Sequence, residues 1–254
     1  FLNSYFQTGL KSNIDEAVIN HINEHGLSEL SEKYTKIDEI PFDFARRRLS
    51  VIVSDGQKTQ MITKGAVEEI LGISTMVDYQ GNVSPITNTI KENIKKITKD
   101  LNKQGLRVVA VCQKNNLEKT SEFTVADEKN TVLIGFIGFL DPPKESAKSS
   151  IEKLNKNGIR VIVLTGDNVE VTKCICDRVG IKSPQIVIGS QIDKLQDIAV
   201  KRLLKKTNVF AKLSPIQKAR IVRLLRDSGN VVGYMGDGIN DSPSLINSDV
   251  GISV

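Results

Sequence analysis

Two carboxylates, a carboxamide and two glycines crowd the segment Gly236-Asp237-Gly238-Ile239-Asn240-Asp241, directly after the largely apolar run Val231 to Met235. A run of strand character that ends so abruptly in oxygen donors reads as a ligand site. A second such exit, Thr165-Gly166-Asp167, follows Arg160 to Leu164. Ligands of open α/β sheets collect beyond the carboxyl ends of the strands, and carboxylate oxygens suit Mg²⁺, so the two loops point to Mg²⁺ and phosphate. Earlier in the chain, Pro41-Phe42-Asp43-Phe44-Ala45-Arg46-Arg47-Arg48 and Lys64-Gly65-Ala66 combine aromatic rings, a basic cluster and a lysine before a helix. They suit a nucleotide, with the base stacked on a ring and the phosphates charge-paired. The same residues also read as two core phenylalanines and a solvated arginine run, and spacing alone does not decide between the two.

The elements that must position these residues follow from periodicity. Ile14, Ala17, Val18 and Ile22 mark a helix stopped at Gly26. Leu49, Val51 and Val53 alternate with Ser50, Ile52 and Ser54, and Asp55-Gly56 turns the chain into a second strand from Gln57 to Thr63, giving an antiparallel hairpin. A helix is expected over Val67 to Leu71, opened by Lys64-Gly65-Ala66. An amphipathic helix through Ile90, Ile94, Ile97 and Leu101 ends at Gly105, and strands follow over Leu106 to Cys112 and Val132 to Leu140. From there short apolar strands alternate with helices: a helix to Asn157, a strand Ile159 to Leu164, a helix to Val179, a strand Ile186 to Ile188, a helical stretch Leu195 to Lys205, and Val209 to Leu213. Ser214-Pro215 supplies an N-cap and an N1 proline to a helix carrying Lys218, and a strand Val250 to Val254 closes the chain. This βαβα order predicts a Rossmann-like parallel sheet after an α+β first part, with a boundary near residue 135.

Composition excludes several classes. With 39% hydrophobic and 26% charged residues the chain is of ordinary globular character. Its apolar runs fall short of the roughly 20 residues of a membrane helix. A net charge of +5, from 35 basic and 30 acidic residues spread through the helices, does not imply nucleic acid. Cys112, Cys174 and Cys176 read as reduced core thiols. His21-Ile22-Asn23-Glu24-His25 fits the inverted zinc-protease pattern, but lies in the last turn of a short helix with no further ligand in prospect. Neither a Walker-type phosphate loop nor the dinucleotide G-x-G-x-x-G pattern occurs, so phosphate chemistry here must rest on carboxylates. The start at Phe1-Leu2-Asn3-Ser4 reads as a cut from a longer chain.

Taken in order, Lys64-Gly65-Ala66, Asp141-Pro142-Pro143, Thr165-Gly166-Asp167 and Gly236-Asp237-Gly238-Ile239-Asn240-Asp241-Ser242-Pro243 resemble the cytoplasmic half of a P-type cation-transporting ATPase. Phe1 to Lys11 and Ile37 to Ser50 are most similar to the bacterial magnesium-transporting members. The resemblance implies an α/β chain in two parts. Residues 1–135 form a nucleotide-binding domain with an antiparallel sheet, and residues 136–254 form the C-terminal part of a haloacid-dehalogenase-like phosphorylation domain. It implies that Phe42 stacks on the adenine of ATP, that Lys64 and Gly65 line its pocket with Asp15 and Arg47 nearby, and that Arg107 reaches the phosphates. Asp237 is implied to bind Mg²⁺, Thr165 and Asp167 to position the transferred phosphoryl group, Lys218 to neutralise its charge, and Asn240 and Asp241 to complete the shell. Asp141 is implied to sit at the domain junction. Blander readings stay open for Thr165 to Asp167 as a turn, Lys218 as a solvated residue and Asp141-Pro142-Pro143 as linker. A soluble haloacid-dehalogenase-type phosphatase and a non-catalytic nucleotide-binding module remain the alternative functions.

The family's phosphorylated D-K-T-G-T, its actuator T-G-E and its membrane helices have no counterpart in this sequence. The resemblance thus implies a cytosolic piece of a pump at the plasma membrane, partnered by the actuator domain and membrane helices, that binds ATP without forming an aspartyl-phosphate. The missing strand is implied to lie between the strands near Leu164 and Met235, leaving their backbone groups without a shared neighbour. A hydrogen-exchange map is therefore expected to show weaker protection in residues 136–254 than in residues 1–135, and equal protection would count against that expectation.

Overall fold

Leu49, Ser50, Val51, Ile52 and Val53 are all buried in succession, which a strand achieves only in a sheet covered on both faces. The computed structural model describes residues 1–8, 11–26, 28–117, 122–182, 185–236 and 241–254. They group into two compact units, Phe1–Leu101 with Val108–Phe139, and Asn102–Arg107 with Leu140–Val254.

In chain order the first unit carries helices α1 (Leu2–Phe6) and α2 (Asn13–Glu24), strands β1 (Thr35–Asp43), β2 (Arg48–Ser54) and β3 (Thr59–Ala66), and helix α3 (Val67–Ile73). Strands β4 (Ser74–Tyr79) and β5 (Asn82–Pro85), helix α4 (Asn88–Lys103), and strands β6 (Leu106–Asn115) and β7 (Thr131–Leu140) follow. The seven strands form one sheet in the order β1-β2-β3-β6-β7-β4-β5. Antiparallel pairing joins β1 to β2, β2 to β3, β3 to β6 and β4 to β5, while β4 runs parallel to β7.

The period of two sorts β2 between two cores. Leu49, Val51 and Val53 pack with Ile62 against Leu2 and Phe6 of α1. Ile52 turns the other way, to Ile40, Met61 and Phe123. Further along the sheet Ala110, Cys112 and Leu133 meet Val67, Ile70 and Leu71 of α3 and Ile94 of α4. Ser50 points into the same side as Ile52 and is fully buried because its hydroxyl bonds Thr63 and Glu128.

Several expectations from sequence need correction. The expected helix is present as α3, with Ala66 as its N-cap, but Lys64 and Gly65 before it belong to β3, held in the ladder by Leu49 and Val111 opposite Lys64. Ile97 is exposed, because the buried stripe of α4 advances from Ile90 to Ile94 in steps of four and passes it by. Cys112 and Cys176 are buried free thiols, while Cys174 is only partly buried.

The second unit carries α5 (Ser146–Lys156), β8 (Val163–Leu164), α6 (Val169–Arg178), β9 (Ile186–Ile188), α7 (Gly189–Asp193) and α8 (Asp197–Leu204). Strand β10 (Val209–Ala211), helix α9 (Pro215–Arg226), strand β11 (Gly233–Gly236), helix α10 (Ser242–Asn247) and strand β12 (Val250–Ser253) complete it. Strands β8, β10 and β9 form a parallel sheet in that order, and β11 pairs in parallel with β12 in a separate sheet. The expected strand Ile159 to Leu164 shrinks to Val163–Leu164, the two residues that face Val209 and Phe210 of β10, its one neighbour among the described residues. Phe210, Val187, Ile192, Val200, Ile221 and Leu224 make the core of this unit.

Among the isoleucines Ile52 is fully buried, 0% exposed, and Ile246 is 80% exposed. Ile52→Ala is expected to cost about 2–5 kcal/mol in chemical denaturation. Ile246→Ala, which leaves no cavity, should stay within about 0.5 kcal/mol.

Candidate functional site

In the first unit Phe42 sits at the end of β1, Arg47 on the turn to β2, Lys64 and Gly65 on β3, and Asp15 on α2. Phe42 and Phe44 are 49% and 53% exposed, with ring centroids 5.3 Å apart and planes at 85°. They are not core residues, and two aromatic rings held edge to face at a surface form a stacking platform. Of the three arginines in the turn, Arg46 and Arg48 point inward to Glu128. Only Arg47 faces out, its guanidinium 2.5 Å from Glu69. The basic cluster of the sequence is thus mostly consumed within the fold.

The turn approaches β3 closely. A Cβ on Gly65 would lie 2.5 Å from Cβ of Arg48 and 2.6 Å from the carbonyl of Arg47, so no other residue fits there without moving backbone. The amide of Ala66 donates to that same carbonyl at 3.0 Å. Arg47 itself has φ +47°, a left-handed conformation that costs a non-glycine residue of order 1 kcal/mol and persists because its surroundings enforce it.

Lys64, one residue earlier on β3, is ion-paired with Asp15 and donates to Ser4 Oγ at 3.0 Å. Asp15 serves twice. It closes a capping box with Ser12 at the start of α2, and its Oδ2 accepts from Gln7 Nε2 at 2.7 Å. Burial and the repulsion of Lys11 lower the Lys64 ammonium from 10.5 to about 8. Arg47 contacts Glu69 rather than this cluster.

In the second unit, the loop after β8 is tied to the end of β10. The Thr165 amide donates to the Phe210 carbonyl, while the Leu213 and Lys212 amides donate to the carbonyls of Thr165 and Asp167. The Thr165 hydroxyl is 3.1 Å from Asp167 Oδ2, which also accepts from Arg107 Nη2 at 2.9 Å. Arg107 reaches Asp141 with its other terminal nitrogen at 3.4 Å. Ser214 caps α9 through a capping box with Gln217, and Lys218 in the next turn bonds Asp241 Oδ1 at 2.8 Å. Gly236 makes room for that aspartate: a Cβ there would lie 2.5 Å from Asp241 Oδ2. Asp237 and Asn240 lie outside the described residues. Among the described residues no group of three or more metal-ligating side chains occurs. A pocket of about 270 Å³ near Lys173, Cys176 and Ile181 contains none of the candidate residues.

Sequence reading missed Glu128, Ser4 and Gln7. Glu128 gave no signal, being one carboxylate in a polar loop; Ser4 lies in the short helix α1 and meets a lysine 60 residues away, and Gln7, the C-cap of α1, bonds Asp15 eight residues on.

The first unit thus carries an exposed aromatic pair and a part-buried lysine paired with Asp15, and the second carries carboxylates at its strand ends. The family model for the P-type ATPase cytoplasmic domain N matches residues 7–146, and the chain belongs to the P-type ATPases. It is 45% identical over 255 residues to magnesium-transporting ATPase, P-type 1, of Salmonella typhimurium strain LT2 and of Escherichia coli K12, covering 100% of this chain and 28% of each relative. It is also 32% identical over 227 residues to calcium-transporting ATPase 1 of Bacillus cereus, covering 89% of this chain and 26% of the relative. The chain therefore spans little more than a quarter of the length of these curated relatives. No helix among the described residues is long and apolar enough to cross a membrane.

Because an unfolded lysine titrates near 10.5, the unfolded chain holds more protons than the folded one between about pH 8 and that value. Stability contributed through Lys64 should therefore rise with pH across this window, and Lys64→Met should lack the rise. The Lys64 titration, followed by side-chain NMR, should have its midpoint near 8 and move upward in Lys11→Ala. An unshifted midpoint near 10.5 would refute the burial effect.

Proposed function

We propose that the first unit binds ATP and that the second carries the Mg²⁺ and phosphoryl-handling residues of a P-type pump that transports Mg²⁺. The observation that carries this reading is the exposed Phe42, held edge-on to Phe44 at the end of β1. An aromatic ring kept at the surface gains from a ligand's planar base what it does not gain from a core. Phe42 stacks on adenine, and Lys64, Gly65, Asp15 and Arg47 bound the same pocket, with Arg107 directed to the phosphates.

In the second unit Thr165 and Asp167 position the phosphoryl group, Lys218 balances its charge, and Asn240 and Asp241 complete the shell around a Mg²⁺ carried by Asp237. The described donors fit such an ion: the Thr165 hydroxyl and the carboxylates of Asp167 and Asp241 are hard oxygen ligands. When bound, Mg²⁺ neutralises charge on the transferred group. Lys218 and Arg107 hold Asp241 and Asp167 by charge pairing and fix where those carboxylates point.

The transported ion is taken from the names of the relatives that match the whole chain. In the full pump, at the plasma membrane, the two units act with an actuator domain, membrane helices and an aspartyl-phosphate on a haloacid-dehalogenase-like sheet. The present chain alone binds ATP and does not pump. Calorimetric titration tests the nucleotide site: Phe42→Ala should weaken ATP binding about tenfold or more, the worth of one lost base stack. Unchanged affinity would remove Phe42 from the site.

A further inference from the structure

Glu128 is the one fully buried carboxylate side chain among the described ion pairs of the first unit. Its Oε1 accepts from Ser50 Oγ at 2.6 Å, both of its oxygens accept from Arg46 Nη1 at 2.8 Å, and its Oε2 accepts from Arg48 Nε at 2.7 Å. A buried carboxylate so completely satisfied has its partners fixed in one geometry. The segment before it is anchored as well. Phe123 packs in the core with Ile40, Ile52 and Met61, and a 3₁₀ turn over Val125–Asp127, capped by Thr124 and Asp127, leads into Glu128.

What Arg46 does with its other nitrogens gives this arrangement its meaning. Its Nη2 donates to the Pro41 carbonyl at 2.5 Å, and its Nε pairs with the Asp43 carboxylate. Pro41 and Asp43 are the residues on either side of Phe42. Asp43 in turn accepts from the backbone amides of Ala45 at 2.7 Å and Arg46 at 2.8 Å, which closes the turn. One guanidinium therefore links the buried carboxylate to both backbone neighbours of the exposed ring. Burial opposes the charge on Arg46, but Glu128 and Asp43 outweigh it and raise the guanidinium above its ordinary range.

We infer that Glu128 is a positioning residue for the nucleotide site: through Arg46 it fixes the turn from Asp43 to Arg48, and with it the orientation of Phe42 and the outward aim of Arg47. The inference rests on the reading of Phe42 as the base-stacking residue. A ring already held in its bound orientation gives up less freedom when a base arrives, so affinity depends on the carboxylate even though it lies under the turn and touches no ligand.

The test uses the whole 254-residue chain, which contains no tryptophan, so Phe44→Trp places a single indole on the turn. ATP affinity and indole anisotropy without nucleotide are compared for Glu128→Gln, which keeps the shape and removes the charge, and for Val53→Ala. Val53 is buried on the opposite face of β2 and controls for lost stability. Below the melting range of both, Glu128→Gln should weaken ATP binding about tenfold and lower the anisotropy, with Val53→Ala within about twofold in binding. Equal losses in the two variants, or unchanged affinity and anisotropy in Glu128→Gln, overturn the inference. If Glu128→Gln does not fold, Ser50→Ala removes one bond to the same carboxylate and should shift both readouts the same way by a smaller amount; no shift overturns the inference. Phe42→Ala separates the two readings. If it leaves ATP affinity unchanged, the stacking reading fails and takes this one with it; if it weakens binding while Glu128→Gln does not, stacking stands and the positioning role falls.

Discussion

The largely buried pair between Lys64 and Asp15 is the constraint on which the first unit's candidate site depends. Lys64 lies on a strand flanked by two others, so its backbone has no freedom, and its side chain emerges on the face covered by α1 and α2. A lysine there needs a counter-charge, and Asp15 is supplied by a helix whose start it also caps. Coulomb attraction in such a setting roughly offsets the loss of hydration, so the pair adds little net stability. Its consequence is registry: removing either partner strands a charge, which costs about 3–5 kcal/mol in buried pairs generally. Helix α2 is therefore locked to β3 at Lys64.

The second unit uses the same device at its two strand-end loops. Asp241 meets Lys218, and Asp167 meets Arg107, so carboxylates suited to a divalent ion stand next to cations suited to a phosphoryl group. Each supporting element follows from local chemistry. The Ser214 cap starts α9 in the right place, Pro215 takes the N1 position where no amide is needed, and Gly236 lets Asp241 fold back. The positions of these charged groups are thus set by short-range backbone geometry.

Much of this was legible in the residues. The β2–β3 hairpin, the helix after Ser214-Pro215 and the alternation of strands and helices in the second part follow from period, caps and turns that act within a few residues. What escaped was long-range. Strand β1 is charged and carries Pro41, which suits only an edge strand, and its edge position is decided by the sheet order. Strand β5 is exposed throughout and has no apolar pattern to read. The three arginines looked alike until a carboxylate 80 and 82 residues away turned two of them inward. Ser50 broke the apolar face of its strand for the same reason. Polar residues that satisfy one another across such distances leave no periodic trace.

That separation also orders events during synthesis. At the usual rate of about 5–20 residues per second, roughly 4–16 s pass between the emergence of the arginine turn and that of Glu128. Throughout that interval Arg46 and Arg48 have no buried carboxylate to meet, and Ser50 and Thr63 have only each other. The hairpin that carries the exposed ring pair of Phe42 and Phe44 can therefore form early as backbone, but its polar interior closes only when the polypeptide past residue 128 is available. For a nascent chain, the turn bearing Phe42 is among the first features written and among the last to set.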